Sequence, residues 1–147
     1  MAKDAFKKVT GLQIRPCGLF VDQNLNFLAA SPDGLIENDT IVEIKCPSSI
    51  KNTTPQDAAK MKMIKYLVIN KKGEIELKRT FSYYFQVQGQ LHITQRQYCY
   101  FIVWTPNGKL TAFINLFIFT NLFDIRLVCL SKNFMGISSK MYFNRTW

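Results

Sequence analysis

Short apolar runs broken by turn-forming residues dominate the first third of the chain. Gly18 to Val21 and Phe27 to Ala30 read as strands, separated by Asp22-Gln23-Asn24. Ser31-Pro32-Asp33-Gly34 predicts a turn, because proline fixes φ and glycine permits positive φ. Leu35-Ile36 resumes the apolar pattern, and Asn38-Asp39 is placed to close a hairpin into Thr40 to Cys46. Pro47 has no N–H for a further ladder bond and ends that strand.

Pro55 to Ile64 predicts a short helix, with Thr54 as N-cap and Pro55 at the first helical position. Leu67 to Asn70 and Glu74 to Leu77 flank Lys71-Lys72-Gly73 as a second hairpin. Tyr84, Val87, Leu91 and Thr94 recur at helical spacing and predict a helix over Ser82 to Thr94. Tyr98 to Trp104, rich in aromatic and β-branched residues, predicts a buried strand ended by Thr105-Pro106. No element is assigned to the polar segment Met1 to Lys8, which has no signal-peptide character. Together these elements predict an α/β fold, a mixed central sheet flanked by helices.

Composition narrows this further. The 147 residues suit one domain, and 48% hydrophobic content excludes a disordered chain. Leu110 to Phe123 is too short and too polar to span a membrane. The net charge of +9 points to a polyanionic partner, nucleic acid before an acidic membrane surface. Residues 46–80 hold eight Lys or Arg against three acids, whereas Asp33, Glu37, Asp39 and Glu43 form an acidic island. Lys60, Lys62, Lys65, Lys71 and Lys72 are the candidate DNA-facing cations. Cys17, Cys46, Cys99 and Cys129 form no Cys-x-x-Cys pair and read as reduced thiols of an intracellular protein, nuclear if the host is eukaryotic. His92 is the sole histidine, so a Ser-His-Asp triad or a His-rich zinc site has no material.

The chemistry centres on Glu43-Ile44-Lys45. Residues i and i+2 of a strand share a face, about 6.6–6.8 Å apart. Glu43 and Lys45 therefore project together, while Ile44 turns into the core beside Ile41 or Val42. Folding residues 34–42 back as a hairpin brings the carboxylate of Asp33 towards Glu43. Two converging carboxylates repel unless a cation or a proton lies between them. Hard oxygen donors select Mg²⁺ or Mn²⁺ over zinc. Such an ion polarises a phosphodiester oxygen and acidifies water, and Lys45 beside it can hold or deprotonate that water. The same residues, taken alone, also describe a surface Glu and Lys flanking a buried Ile.

Context separates the two readings. Leu28-Ala29-Ala30-Ser31-Pro32-Asp33-Gly34-Leu35-Ile36, followed by Ile41-Val42-Glu43-Ile44-Lys45-Cys46-Pro47, resembles the YqaJ-type viral-recombinase nucleases. These belong to the PD-(D/E)XK superfamily and are relatives of phage lambda exonuclease. Cys17 to Val21, Tyr83 to Leu91 and Tyr98 to Thr105 resemble the same family's preceding strand, helix and following strand. The resemblance runs from Thr10 to Thr105, which makes residues 1–106 a partial nuclease core with a restriction-endonuclease-like fold. Residues 107–147 read as a divergent aromatic tail without family likeness.

The resemblance implies roles. Asp33 and Glu43 would bind metal, with the backbone carbonyl of Ile44 as a further oxygen ligand. Lys45 would be the catalytic lysine, and Gln86 a helix amide that orients water. Gln90, four residues on, shares the Gln86 face, so one or both line the site. Family members carry an upstream helix with an additional glutamate near the metals. Here nine residues precede Thr10 and Asp4 is their only acid, so the chain reads as a shortened version of the domain. The implied function is a Mg²⁺- or Mn²⁺-dependent DNA exonuclease linked to recombination or to processing of mobile or viral elements, with DNA as partner and a homo-oligomeric assembly. A catalytically impaired DNA-binding remnant is the alternative, and a protein-interaction fragment using the aromatic stretch 113–123 is a third.

Overall fold

A computed structural model describes residues 1–115 and 141–143 of the chain. In order these are α1 (Ala2–Thr10), β1 (Phe20–Val21), β2 (Leu28–Ala30), β3 (Gly34–Ile36), β4 (Thr40–Lys45), a 3₁₀ turn (Ser48–Ile50) and α2 (Pro55–Lys60). Then follow β5 (Leu67–Ile69), β6 (Ile75–Leu77), α3 (Ser82–Thr94), β7 (Tyr98–Thr105), β8 (Gly108–Asn115) and β9 (Met141–Phe143).

The central sheet has the order β3-β4-β7-β8. β3 and β4 form the expected antiparallel hairpin, with Gly34 opposite Val42. β4 then runs parallel to β7, from Thr40 beside Tyr98 to Lys45 beside Val103. A parallel step needs a crossover, and α2, the β5-β6 hairpin and α3 lie within it. β7 returns antiparallel as β8. A second sheet has the order β1-β2-β9. This mixed α/β architecture agrees with the fold expected from the sequence.

Two cores sandwich β4. Ile41, Val87, Leu91, Phe101 and Val103 pack on the α3 side. Phe6, Ile36, Val42 and Ile102 pack on the α1 side, with Ile44 against them. Strand alternation thus sends Ile44 to the Val42 layer rather than to that of Ile41. Glu43 and Lys45 belong to the α3 layer, where both meet Gln86.

The sequence pattern missed α1. A helix of nine residues is marginal alone, and its single buried residue, Phe6, supplies the docking energy. The Phe6 ring lies 5.3 Å from that of Tyr100. Gly11 closes the helix at φ +73°, with its N–H donating to the Lys7 carbonyl. α2 begins as expected, Thr54 accepting from the Asp57 N–H with Pro55 in the first turn, but ends at Lys60 instead of Ile64. Lys62 takes φ +55°, which terminates helical geometry there. The turn expected at Ser31-Pro32-Asp33 is the connector between the two sheets.

Two segments of the expected tail join the sheets: β8, and β9, which pairs Leu28 with Phe143. The aromatic stretch 113–123 lies outside the described residues beyond Asn115, as does Cys129. Cys17, Cys46 and Cys99 are free thiols. Among the described residues no helix is long and apolar enough to cross a membrane.

Candidate active site

β4 supplies Glu43 and Lys45, and its pairing with β7 holds both in place. Glu43 is completely buried. Desolvating a carboxylate is costly unless donors surround it, and here they do. Lys45 Nζ donates to Glu43 Oε1 at 2.8 Å, and Gln86 Nε2 donates to the same oxygen at 3.0 Å. Gln90 Nε2 donates to Glu43 Oε2 at 3.2 Å. Lys45 also donates to Gln86 Oε1 at 3.2 Å, closing a ring of three side chains. The ammonium rests 4.1 Å from the centroid of the Tyr83 ring. Lys45 keeps 15% of its side chain in solvent, so the lysine, not the glutamate, forms the mouth of this cluster.

Asp33 reaches the site by a different route. Its N–H donates to the Val42 carbonyl at 2.9 Å, which extends the hairpin register one step beyond Gly34. The next donor on that edge of β4 is the Ile44 N–H, past the end of β3. Asp33 Oδ2 accepts it at 2.7 Å, taking the place of a strand carbonyl. A residue's N–H and C=O leave a strand on the same edge, so the Ile44 carbonyl faces the Asp33 side as well. The structure thus puts Glu43, Lys45 and Gln86 in mutual contact and places Asp33 on the neighbouring Ile44 N–H.

The donor set tests whether a metal suits the site. Two carboxylates and a backbone carbonyl are hard oxygen donors, and among the described residues no soft ligand joins them. Among the described residues no group of three or more His, Cys, Asp or Glu converges. The set therefore fits a hard divalent ion held by few protein ligands and completed by water.

Two contributions escaped the sequence reading. Tyr83 packs against the lysine, and its helical position three residues before Gln86 was the available signal. α1 touches the site from outside: Lys3 Nζ donates to the Asp33 carbonyl at 2.6 Å. Lys109 ties α1 to the sheet through the Ala5 carbonyl. Asp4, the only acid of α1, is exposed and pairs with the terminal amino group. His92 lies 3.3 Å from Asp22. Burial and the neighbouring Glu43 carboxylate push the Cys99 thiol well up. Lys60, Lys62, Lys65, Lys71 and Lys72 are all exposed, on α2, its C-terminal turn and the β5-β6 hairpin. An aromatic chain links that region to the lysine, since the Tyr66 ring stands 4.9 Å from Tyr83.

Solved structures share this arrangement of elements. An alkaline exonuclease, LHK-Exo, solved in complex with dAMP, matches with a TM-score of 0.60 at 23% identity. A second structure of LHK-Exo, from Laribacter hongkongensis, matches with a TM-score of 0.56 at 21% identity. Each match covers 79% of this chain and 53% of the exonuclease, so the chain spans about half the length of these structures. No curated protein sequence matches it. The family model of the YqaJ-like viral recombinase domain matches residues 1–97. That span takes in α1, which the sequence resemblance over Thr10 to Thr105 left out, and it runs through α3. With Asp33, Glu43, Lys45 and Gln86 all inside the matched region, the chain belongs to the YqaJ-like viral recombinase domain family.

Proposed function

We propose that this chain is the core of a metal-dependent deoxyribonuclease, an exonuclease serving recombination or the processing of mobile or viral DNA. The observation that carries the reading is the Lys45 ammonium at the mouth of a cluster whose floor is the buried carboxylate of Glu43. A surface Glu and Lys flanking a core Ile would not bury the Glu, nor engage two helix amides with it. Asp33, Glu43 and the Ile44 carbonyl would hold Mg²⁺ or Mn²⁺. Such an ion supplies Lewis acidity towards a phosphodiester oxygen.

The chain's own residues do the rest. As an ammonium, Lys45 offsets charge building on the phosphate and holds the attacking water; as the neutral amine it would accept that water's proton at Nζ. Gln86, bonded to both Lys45 and Glu43, keeps the ammonium aimed outward and orients the water. Tyr83 backs Lys45 on one side. The exposed lysines of α2 and the β5-β6 hairpin would carry the DNA backbone towards it. A homo-oligomer, implied by the family resemblance, belongs to the same reading.

The decisive experiment is digestion of linear duplex DNA with and without Mg²⁺, beside the Glu43→Gln variant. Cleavage that needs the ion and is lost in the variant is the expected result. Ion-independent cleavage, or none by the parent chain, rejects the reading. In the second case, DNA binding that survives would favour the impaired remnant.

A further inference from the structure

We infer that Gln90 is a positioning residue for Glu43, fixing the orientation in which that carboxylate meets a divalent ion. The inference rests on the function proposed above and adds a residue to its site.

α3 buries three amides, Gln86, Gln88 and Gln90, where a helix packed on a sheet would ordinarily bury apolar side chains. Gln86 is explained by its bonds to both Lys45 and Glu43. Gln90 is fully buried, and among the described residues its side chain bonds only Glu43. The amide orientation is dictated by chemistry: an ionised carboxylate accepts only, so Nε2 must face it. Oε1 then points elsewhere and finds no partner among the described residues. Burying an amide oxygen without a donor is unfavourable, so this glutamine is not explained by packing.

Geometry supplies the explanation. Lys45 and Gln86 hold Oε1 of Glu43, and Gln90 holds Oε2. With each carboxylate oxygen pinned by a separate donor, rotation about the terminal bond of Glu43 is blocked. Gln90 can set this angle because Val87 and Leu91, on the same helix, lock α3 into the core. The backbone carbonyl of Gln90 also accepts from the Thr94 hydroxyl at 2.8 Å, one turn further along.

The test compares the parent chain with Gln90→Met, a side chain of similar length without the amide. Loss of a positioning partner should weaken Mn²⁺ binding, measured by calorimetry, about 10–100-fold. kcat on linear DNA should fall with it while KM changes little, and Tm should hold or rise because an unpaired oxygen is removed. A second arm needs neither ion nor activity. In the ion-free protein, the Gln90 side-chain amide protons should show retarded exchange, and Glu43→Gln should shift their NMR signals. Unchanged Mn²⁺ affinity and kcat in Gln90→Met, or amide signals indifferent to Glu43→Gln, would overturn the inference while leaving the nuclease reading intact. A parent chain that binds no Mn²⁺ would instead reject the site as a metal site, and this inference with it.

Discussion

The ammonium of Lys45 lies 2.8 Å from Oε1 of Glu43, a carboxylate with no solvent exposure at all. A single turn of the strand pleat joins the two, and the fold must satisfy the charge that this pair buries. Removing Lys45 takes this cation away from the buried charge. Lys45→Met is expected to destabilise the chain by about 3 kcal/mol in urea unfolding. The double change with Glu43→Gln should cost less than the sum of the single ones. Both single variants should lose cleavage by orders of magnitude. Additive stability losses would mean that the pair contributes nothing as a pair.

Asp33 has two separable tasks, accepting from the Ile44 N–H and carrying charge. Asp33→Asn keeps an acceptor and removes the charge. Its Tm should stay close to the parent's, and ion-dependent cleavage should vanish while ion-free DNA affinity persists. Asp33→Ala should in addition lose about 1 kcal/mol of stability. Parental cleavage by either variant would remove Asp33 from the site.

Lys3 sits on α1 with its ammonium at the Asp33 carbonyl. Replacing it by an acid adds a third carboxylate beside a site with few protein ligands. Lys3→Glu is expected to tighten Mg²⁺ binding by about 1–2 kcal/mol, roughly tenfold, through Coulomb attraction alone. Calorimetry at low salt reads this directly. Unchanged or weaker binding would show that α1 stands too far from the ion to contribute.

Alkaline stability should fall in two stages. Burial raises the Cys99 thiol well above its usual value, and it raises the Tyr66 phenol far above its own. In each case the folded state retains a proton that the unfolded state releases, so stability is present below the unfolded pKa and declines as pH rises past it. The decline should begin near pH 9 for Cys99 and near pH 10 for Tyr66, the ordinary values of these groups. Cys99→Ala should flatten the first stage. Tyr66→Phe should flatten the second and, by removing a buried hydroxyl with no partner among the described residues, be neutral to stabilising by about 1 kcal/mol at pH 7. A Tm profile of either variant that keeps the parent's slope would assign the limb to other groups.

The exposed lysines can be weighed by salt. If Lys60, Lys62 and Lys65 each contact a phosphate of duplex DNA, the slope of log affinity against log salt should lose about 0.9 per contact in the triple alanine variant. Fluorescence anisotropy over a salt series measures it. A slope equal to the parent's would make these residues solvated surface and move the DNA path elsewhere.

Much of this site was legible in the chain before any fold. The i, i+2 period of a strand is local physics, and it alone put Glu43 and Lys45 on one face. The hairpin pattern around Asn38-Asp39 brought Asp33 to them, and the 3.6-residue period delimited Ser82 to Thr94 as the helix now observed. The family resemblance singled out Gln86. Tertiary structure decided the rest. No local signal says that α3 lies across β4, so neither the complete burial of Glu43 nor the grip of Gln90 on its second oxygen could be read from sequence. The same holds for Tyr83 beneath Lys45, since a tyrosine near a helix start is equally at home in a core. α1 shows the difference most plainly. Five of its nine residues are polar and its length is marginal, so its helicity comes from Phe6 entering a pocket of Ile36, Val42 and Ile102, residues distant in the chain and adjacent only after folding.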